Sequence, residues 1–208
     1  MGRWVERELV RRGHSVRVVD PVEAQLPLLN KPQFAYAQGA APGGLDALAA
    51  DIAAADAFVM VSPEYNHSVS PALANTLNHF GSSLFSFKPS GMVVYSQGQW
   101  GGARAAMAMR PLLSELGCLP VSAMVQLPYA HKVLDVDGRV VVGAAAAGGG
   151  GGGGGAGGGD DERWREYFNR MASQVEWWGE ACRRQRAVAD PFLVSPAFAR
   201  DPSQRNAP

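Results

Sequence analysis

Two polar runs carry the side chains best suited to hold a ligand, and each follows an apolar run. Ser62-Pro63-Glu64-Tyr65-Asn66-His67 follows Ala57-Phe58-Val59-Met60-Val61, and Ser96-Gln97-Gly98-Gln99-Trp100-Gly101-Gly102 follows Met92-Val93-Val94-Tyr95. In the first run Pro63 fixes φ and stiffens the exit from the apolar segment. Asn66 offers donors and an acceptor, and Tyr65 offers a ring and a hydroxyl. Such a turn suits a flat ligand with a hydrogen-bonding edge, and the same groups would also serve in a turn that satisfies itself. In the second run the glycines let a backbone approach a ligand closely and adopt positive φ. The run is not G-x-G-x-x-G, so the dinucleotide fingerprint is not met. No G-x-S-x-G elbow surrounds Ser62 or Ser96, which ranks a serine hydrolase low.

The elements that must position these runs alternate along the chain. Trp4 to Arg12 reads as a helix, with Trp4, Val5 and Leu9 on one face and Glu6, Arg7, Glu8 and Arg11 in solvent. Ser15–Val19 reads as a β-branched strand closed by Asp20-Pro21, and the Pro-containing stretch 22–44 as loop. A helix is expected over Leu45–Ala55, and a buried parallel strand over Ala57–Val61. Ser70 is placed as an N-cap with Pro71 at the first helical position, ahead of Leu73, Leu77 and Phe80 at helical spacing. After the strand Met92–Tyr95 comes a helix over Ala103–Leu116, in which Pro111 should break a bond or kink. Val121–Val125 is read as a strand, and Val133–Val141 as a hairpin turning at Asp137-Gly138. Residues 143–159, all glycine and alanine, are expected to form a flexible insert. A helix from Asp161 to Arg186 carries Trp164, Phe168, Met171, Val175, Trp178 and Cys182 on one face, with Trp177 beside them as a candidate subunit contact. The Pro-rich residues 187–208 are expected to be disordered. This alternation argues for one α/β domain over 1–186, with a parallel sheet covered on both faces. Two loops leaving successive parallel strands would then line one crevice.

Composition narrows the classes. The 208 residues carry a formal net charge of zero and 47% hydrophobic content. That suits one globular domain and gives no electrostatic pointer to nucleic acid or acidic membranes. No apolar run is long enough to span a bilayer. Cys118 and Cys182 are far apart, imply no disulfide framework, and read as isolated thiols in a reducing compartment. His14, His67, His79 and His131 form no metal motif.

The run Ser62-Pro-Glu-Tyr-Asn66, continuing as His67-Ser-Val-Ser-Pro-Ala-Leu-Ala-Asn75, resembles the signature loop of the NADPH-dependent FMN reductase family. The segment from Tyr95 through Gly101 and Gly102 is similar to that family's second flavin loop, and the Trp-rich last helix is also similar. The resemblance implies a flavodoxin-like three-layer sandwich, and an activity like that of quinone, azo-dye and chromate reductases. It implies FMN as cofactor and NAD(P)H as co-substrate, with hydride passing through the flavin to a quinone-like or other small acceptor. Pro63, Glu64, Tyr65 and Asn66 would contact the edge and face of the isoalloxazine ring. Ser96, Gln97, Gly98, Gln99 and Gly101 would lie on its other side. No catalytic side chain is demanded, because the flavin carries the chemistry. The resemblance further implies a cytoplasmic homodimer or homotetramer with its site near subunit contacts, for which Trp177 and Phe80 are candidates, and no nucleic-acid or membrane partner.

The departure lies at the start of the chain. The family's first strand and its Ser/Arg-containing phosphate loop would precede the first helix, and here Met1 already sits at that helix. In the order 2-1-3-4-5 the first strand is central, with FMN beside it. The fold expected is therefore flavodoxin-like with the first strand missing. Two accounts are open: a sequence truncated at this end, which the intact flavin loops favour, or a shortened paralogue that no longer binds FMN well. On the first, a missing segment could have carried an organellar transit peptide. On either, the chain as written is expected to purify without stoichiometric flavin or to fold unstably, so it could be an inactive fragment of a reductase. The alternative is a non-catalytic interaction or regulatory protein with a degenerate flavodoxin-like fold.

Overall fold

The computed structural model describes residues 1–141 and 160–194. Four strands form one sheet: β1 (Phe58–Pro63), β2 (Pro89–Tyr95), β3 (Leu119–Pro120) and β4 (Val125–Leu127). All of its ladders are parallel. The strand β2 is central, with β1 along one side and β3 and β4 sharing the other. It is buried from Pro89 to Val94, in keeping with the apolar run that starts at Met92. In the register Pro63 lies opposite Tyr95, and Tyr95 opposite Leu127. Three strands therefore finish level and release their loops at one edge of the sheet.

Helices cover both faces: α1 (Gly2–Arg11), α2 (Pro21–Ala24), α3 (Leu45–Ala54), α4 (Pro71–Asn78), α5 (Ala103–Glu115), α6 (Ala130–Val133), α7 (Asp160–Val188) and α8 (Pro191–Val194). On one face Met60, Met92 and Val94 pack with Leu45 and Leu48 of α3, Leu77 of α4, and Met109 and Leu113 of α5. On the other, Val93 and Val125 pack with Trp4 and Val5 of α1 and with Trp164, Phe168, Met171 and Val175 of α7. The alternation of residues 92, 93 and 94 between the two cores is the period of two of a strand. The result is the three-layer α/β sandwich expected from the sequence.

Several local expectations are corrected. Ser15–Val19 forms no strand. An extended segment becomes a strand only when a neighbour takes its hydrogen bonds, and no described strand pairs with it or with the outer edge of β1. The strand expected at Val121–Val125 falls in the gap between β3 and β4, and only Val125 belongs to a strand. Arg110 occupies the carbonyls of Pro120, Val121 and Ser122 at 3.5, 3.3 and 3.4 Å, and Gln174 accepts from the Ala123 amide at 2.9 Å, so side chains serve where ladder partners would. The hairpin over 133–141 shrinks to one bridge, Leu134–Val140. Its turn closes on Asp135 Oδ1, which accepts from the amides of Asp137 and Arg139 at 2.9 and 2.8 Å.

As expected, α5 runs through Pro111, to Glu115, and Pro111 has no N–H to donate within the helix. Glu8 is not in solvent: it is 4% exposed, between α1 and α7, and pairs with Arg165 and Arg11. Phe80 is buried in the core and offers no subunit contact, whereas Trp177 is 63% exposed. The apolar stripe of α7 leaves the core at Trp178, because the helix there overhangs the start of the strands, near Ala57 and Pro89. The first part of the tail is ordered. Residues 187 and 188 extend α7, and α8 starts at Pro191 after Asp190, whose carboxylate accepts from the Phe192 amide at 2.9 Å. Phe192 packs edge-on against Phe87 at 5.6 Å. The expected glycine insert at 143–159 and the tail beyond 194 lie outside the described residues.

Candidate functional site

The loop after β1 is shaped by its own backbone. Tyr65 and Ser68 exchange both backbone hydrogen bonds, at 3.0 and 2.9 Å. Asn66 and His67 between them have φ of 50° and 63°. Two central residues at positive φ make a type I′ turn, a conformation that costs a non-glycine residue about 1–2 kcal/mol. Strain of this kind gathers at ligand clamps. Behind the turn, Ser70 caps α4 by accepting from the Leu73 amide at 3.2 Å, as its position before Pro71 suggested. Ser62 is fully buried. Its Oγ accepts from the Ser70 amide at 2.9 Å and donates to the Pro63 carbonyl at 2.8 Å, which leaves it no nucleophile's role.

The loop after β2 is anchored to the end of β4. The Ser96 amide donates to Leu127 O at 3.2 Å, Ala130 N to Ser96 O at 2.9 Å, and Tyr129 N to Gly98 O at 3.2 Å. Ser96 Oγ donates to Gly98 O at 3.0 Å. Gly102 has φ of 86°, and a Cβ there would lie 2.7 Å from the Tyr95 amide nitrogen. This glycine lets the chain turn back onto β2 and begin α5.

Glu64 joins the two loops. Its Oε1 lies 2.6 Å from Arg104 Nη2, and its Oε2 accepts from the amides of Arg104 and Ala105 at 3.0 and 3.3 Å. The side chain is 5% exposed. The N-cap of α5 is Gly102, which has no side chain to offer, so Glu64 supplies the cap from another loop. Burial pushes the Glu64 carboxyl up, and the Arg104 hydrogen bond with the two amides outweighs it, leaving the group below its usual range. Burial, with smaller contributions from Tyr65 and Asp20, raises the Tyr95 hydroxyl, which stays a protonated donor at neutral pH.

Between the loops lies a cavity of about 490 Å³, within the range of small-molecule sites. It is lined by Pro63, Glu64, Tyr65, Tyr95, Ser96 and Gln97 from the ends of β1 and β2. Ala130, His131, Leu134 and Asp135 from α6 and the turn after it, together with Met1, complete the lining. Of the residues expected from sequence, the structure thus brings together Pro63, Glu64, Tyr65, Ser96 and Gln97. Asn66, Gly98 and Gln99 are exposed outside the lining, and Gly101 is buried against Pro128. The stretch from Ala130 to Asp135 was missed. Its signal was the third parallel strand, whose carboxyl end opens at the same edge as the other two. Reading residues 121–125 as that strand displaced its end by two residues.

A flat ring system with polar edges fits these walls. Two phenols, an amide, a hydroxyl and backbone groups are within the lining, and the strained turn holds one wall in place. None of the described lining residues is Lys or Arg, and His131 is the one side chain among them that can carry a positive charge.

Comparison with known proteins identifies a family and a fold. Residues 1–132 match the family described as NADPH-dependent FMN reductase. The chain is 31% identical over 137 residues to an NAD(P)H-dependent FMN reductase of Pseudomonas aeruginosa, covering 64% of this chain and 71% of that protein. It is 35% identical over 95 residues to the "Probable NADPH:quinone oxidoreductase 1" of Oryza sativa subsp. japonica, covering 44% of this chain and 47% of that protein. Among solved structures, the flavoenzyme NAD(P)H:(acceptor) oxidoreductase FerB of Paracoccus denitrificans superposes with a TM-score of 0.62 at 18% identity. That match covers 84% of this chain and 87% of FerB, and it shows the shared fold. Among the described residues no helix is long and apolar enough to cross a membrane.

Proposed function

Because the chain belongs to the NADPH-dependent FMN reductase family, we propose that it is an oxidoreductase that uses FMN and NAD(P)H to reduce a quinone-like or other small acceptor. The observation that carries this reading is the cavity of about 490 Å³ at the level ends of β1, β2 and β4, walled by the turn and loop that resemble the family's flavin loops. The names of the Pseudomonas and rice relatives supply the cofactor and the acceptor class.

When bound, FMN supplies the hydride chemistry, and no side chain need act as acid or base. The chain's residues orient the ring and shield it. Pro63 and Tyr65 form one wall, and Tyr95, Ser96 and Gln97 the other. The Tyr95 hydroxyl and the Gln97 amide offer hydrogen bonds to a polar ring edge. Their part in catalysis is preorganisation: fixed donors aimed where negative charge grows need no rearrangement during the reaction. The same reading carries a cytoplasmic homodimer or homotetramer, with exposed Trp177 of α7 as the candidate contact.

The test is oxidation of NADPH or NADH followed at fixed enzyme, with a quinone acceptor, as FMN is added. The expected result is acceptor-dependent oxidation that rises with FMN and saturates. A rate that stays at the protein-free level across the FMN range would overturn the enzymatic reading in favour of a non-catalytic interaction protein.

A further inference from the structure

Glu64 was expected to contact the flavin ring, yet the bonds of its carboxylate run to the start of α5. Three donors already occupy it: Arg104 Nη2 at 2.6 Å, the Arg104 amide at 3.0 Å and the Ala105 amide at 3.3 Å. Glu64 is among the lining residues of the cavity, while its carboxylate oxygens bond to the start of α5. The Arg104 guanidinium continues the connection, 5.9 Å from the centre of the Trp100 ring in the second loop. The Glu64 amide also donates to Tyr95 O of β2, at 2.9 Å. An isolated carboxylate here would also repel negative charge growing on a reduced ring. Neutralised by Arg104 and two amides, it does so far less.

We propose that Glu64 is a positioning residue. It ties the turn after β1 to the N-terminus of α5 and, through Arg104 and Trp100, to the loop after β2. The two cavity walls keep one spacing because of it, and its carboxylate does not bind the ring. The inference rests on the ring-binding reading above, and deepens it.

The test compares wild type with Glu64→Ala, Glu64→Gln and Arg104→Gln. It uses two readouts: backbone amide exchange at Arg104 and Ala105 without ligand, and the Kd for FMN from quenching of flavin fluorescence. Losing a helix cap is worth roughly a factor of ten in an equilibrium constant. Glu64→Ala should therefore lose amide protection and bind FMN about tenfold more weakly. Glu64→Gln keeps an acceptor for the amides, and should retain protection and bind within about threefold of wild type. Arg104→Gln keeps the cap and loosens only the link to Trp100, so the amides stay protected while Kd rises by about threefold. A merely structural role would lower the melting temperature of Glu64→Ala and leave the Kd of its folded fraction unchanged, and that result overturns the proposal. So does weaker binding with the amides still protected, which would make Glu64 a direct contact. If Glu64→Ala does not fold, Arg104→Gln decides: a Kd raised about threefold supports the tie between the loops, and an unchanged Kd overturns it. If wild type binds no FMN, the ring-binding reading fails and the role in positioning a ring fails with it, while the amide arm still shows whether Glu64 caps α5.

Discussion

Gly102 shows at the level of one residue how the second loop is built. Its φ of 86° and the 2.7 Å and 2.8 Å that would separate a Cβ from Tyr95 N and Val94 Cβ leave room for hydrogen alone. Gly102→Ala should destabilise the protein by about 1–3 kcal/mol, measured by urea unfolding. Gly98→Ala is the control: a Cβ there meets nothing within 4 Å, and the change should stay within about 0.5 kcal/mol. An equal loss in both variants would contradict this account of the loop. From the sequence, the glycines of this loop looked like openings for a ligand. Gly101 and Gly102 instead serve close packing against Pro128 and β2. Residue type disclosed the conformational freedom, and only the fold disclosed what it was used for. Glu64 gives the same lesson, since nothing in the sequence placed it 40 residues away on the amides of α5.

Helices and strands differ in how much of them the sequence carried. The spacing of apolar residues in α1, α4, α5 and α7 follows from each helix's own face, and Ser70 and Pro71 mark a start by local chemistry. Strands depend on neighbours. Ser15–Val19 has the composition of a strand and no ladder, whereas Val125–Leu127 gains one by lying beside β2. What holds α1 against α7 also comes from distant residues. Arg12 grips Glu176 with Nε and Nη2, both at 2.6 Å, and His14 Nε2 lies 2.8 Å from the same carboxylate. The Arg12 hydrogen bond, working against burial and aided by His14, holds the Glu176 carboxyl below its ordinary value of 4.5. A carboxyl lowered in the folded state contributes stability that is present above 4.5 and is lost as pH falls through its folded value. Glu176→Gln should therefore be less stable than wild type at neutral pH, and the difference should close as pH drops below 4.5. Unfolding midpoints measured across that range check it; a difference independent of pH would contradict the ion pair's role.

At the scale of the whole molecule, the sheet delivers three loops to one edge and the helices on both faces hold them level. That much of the architecture was legible from the alternation of elements and from the two polar runs. The contribution of Ala130 to Asp135 was not, because it depends on where the third strand ends. The resulting cavity presents aromatic and hydrogen-bonding groups and no Lys or Arg side chain among its described lining residues. The ring, rather than the phosphate, should then carry flavin affinity. The direct test is titration of the purified chain with FMN and with riboflavin, followed by quenching of flavin fluorescence. Saturable quenching by both, with Kd values within about threefold of each other, is the predicted result. Absence of quenching by either would contradict the proposed flavin site, and a preference for FMN of about a hundredfold would contradict the conclusion that the ring carries the binding.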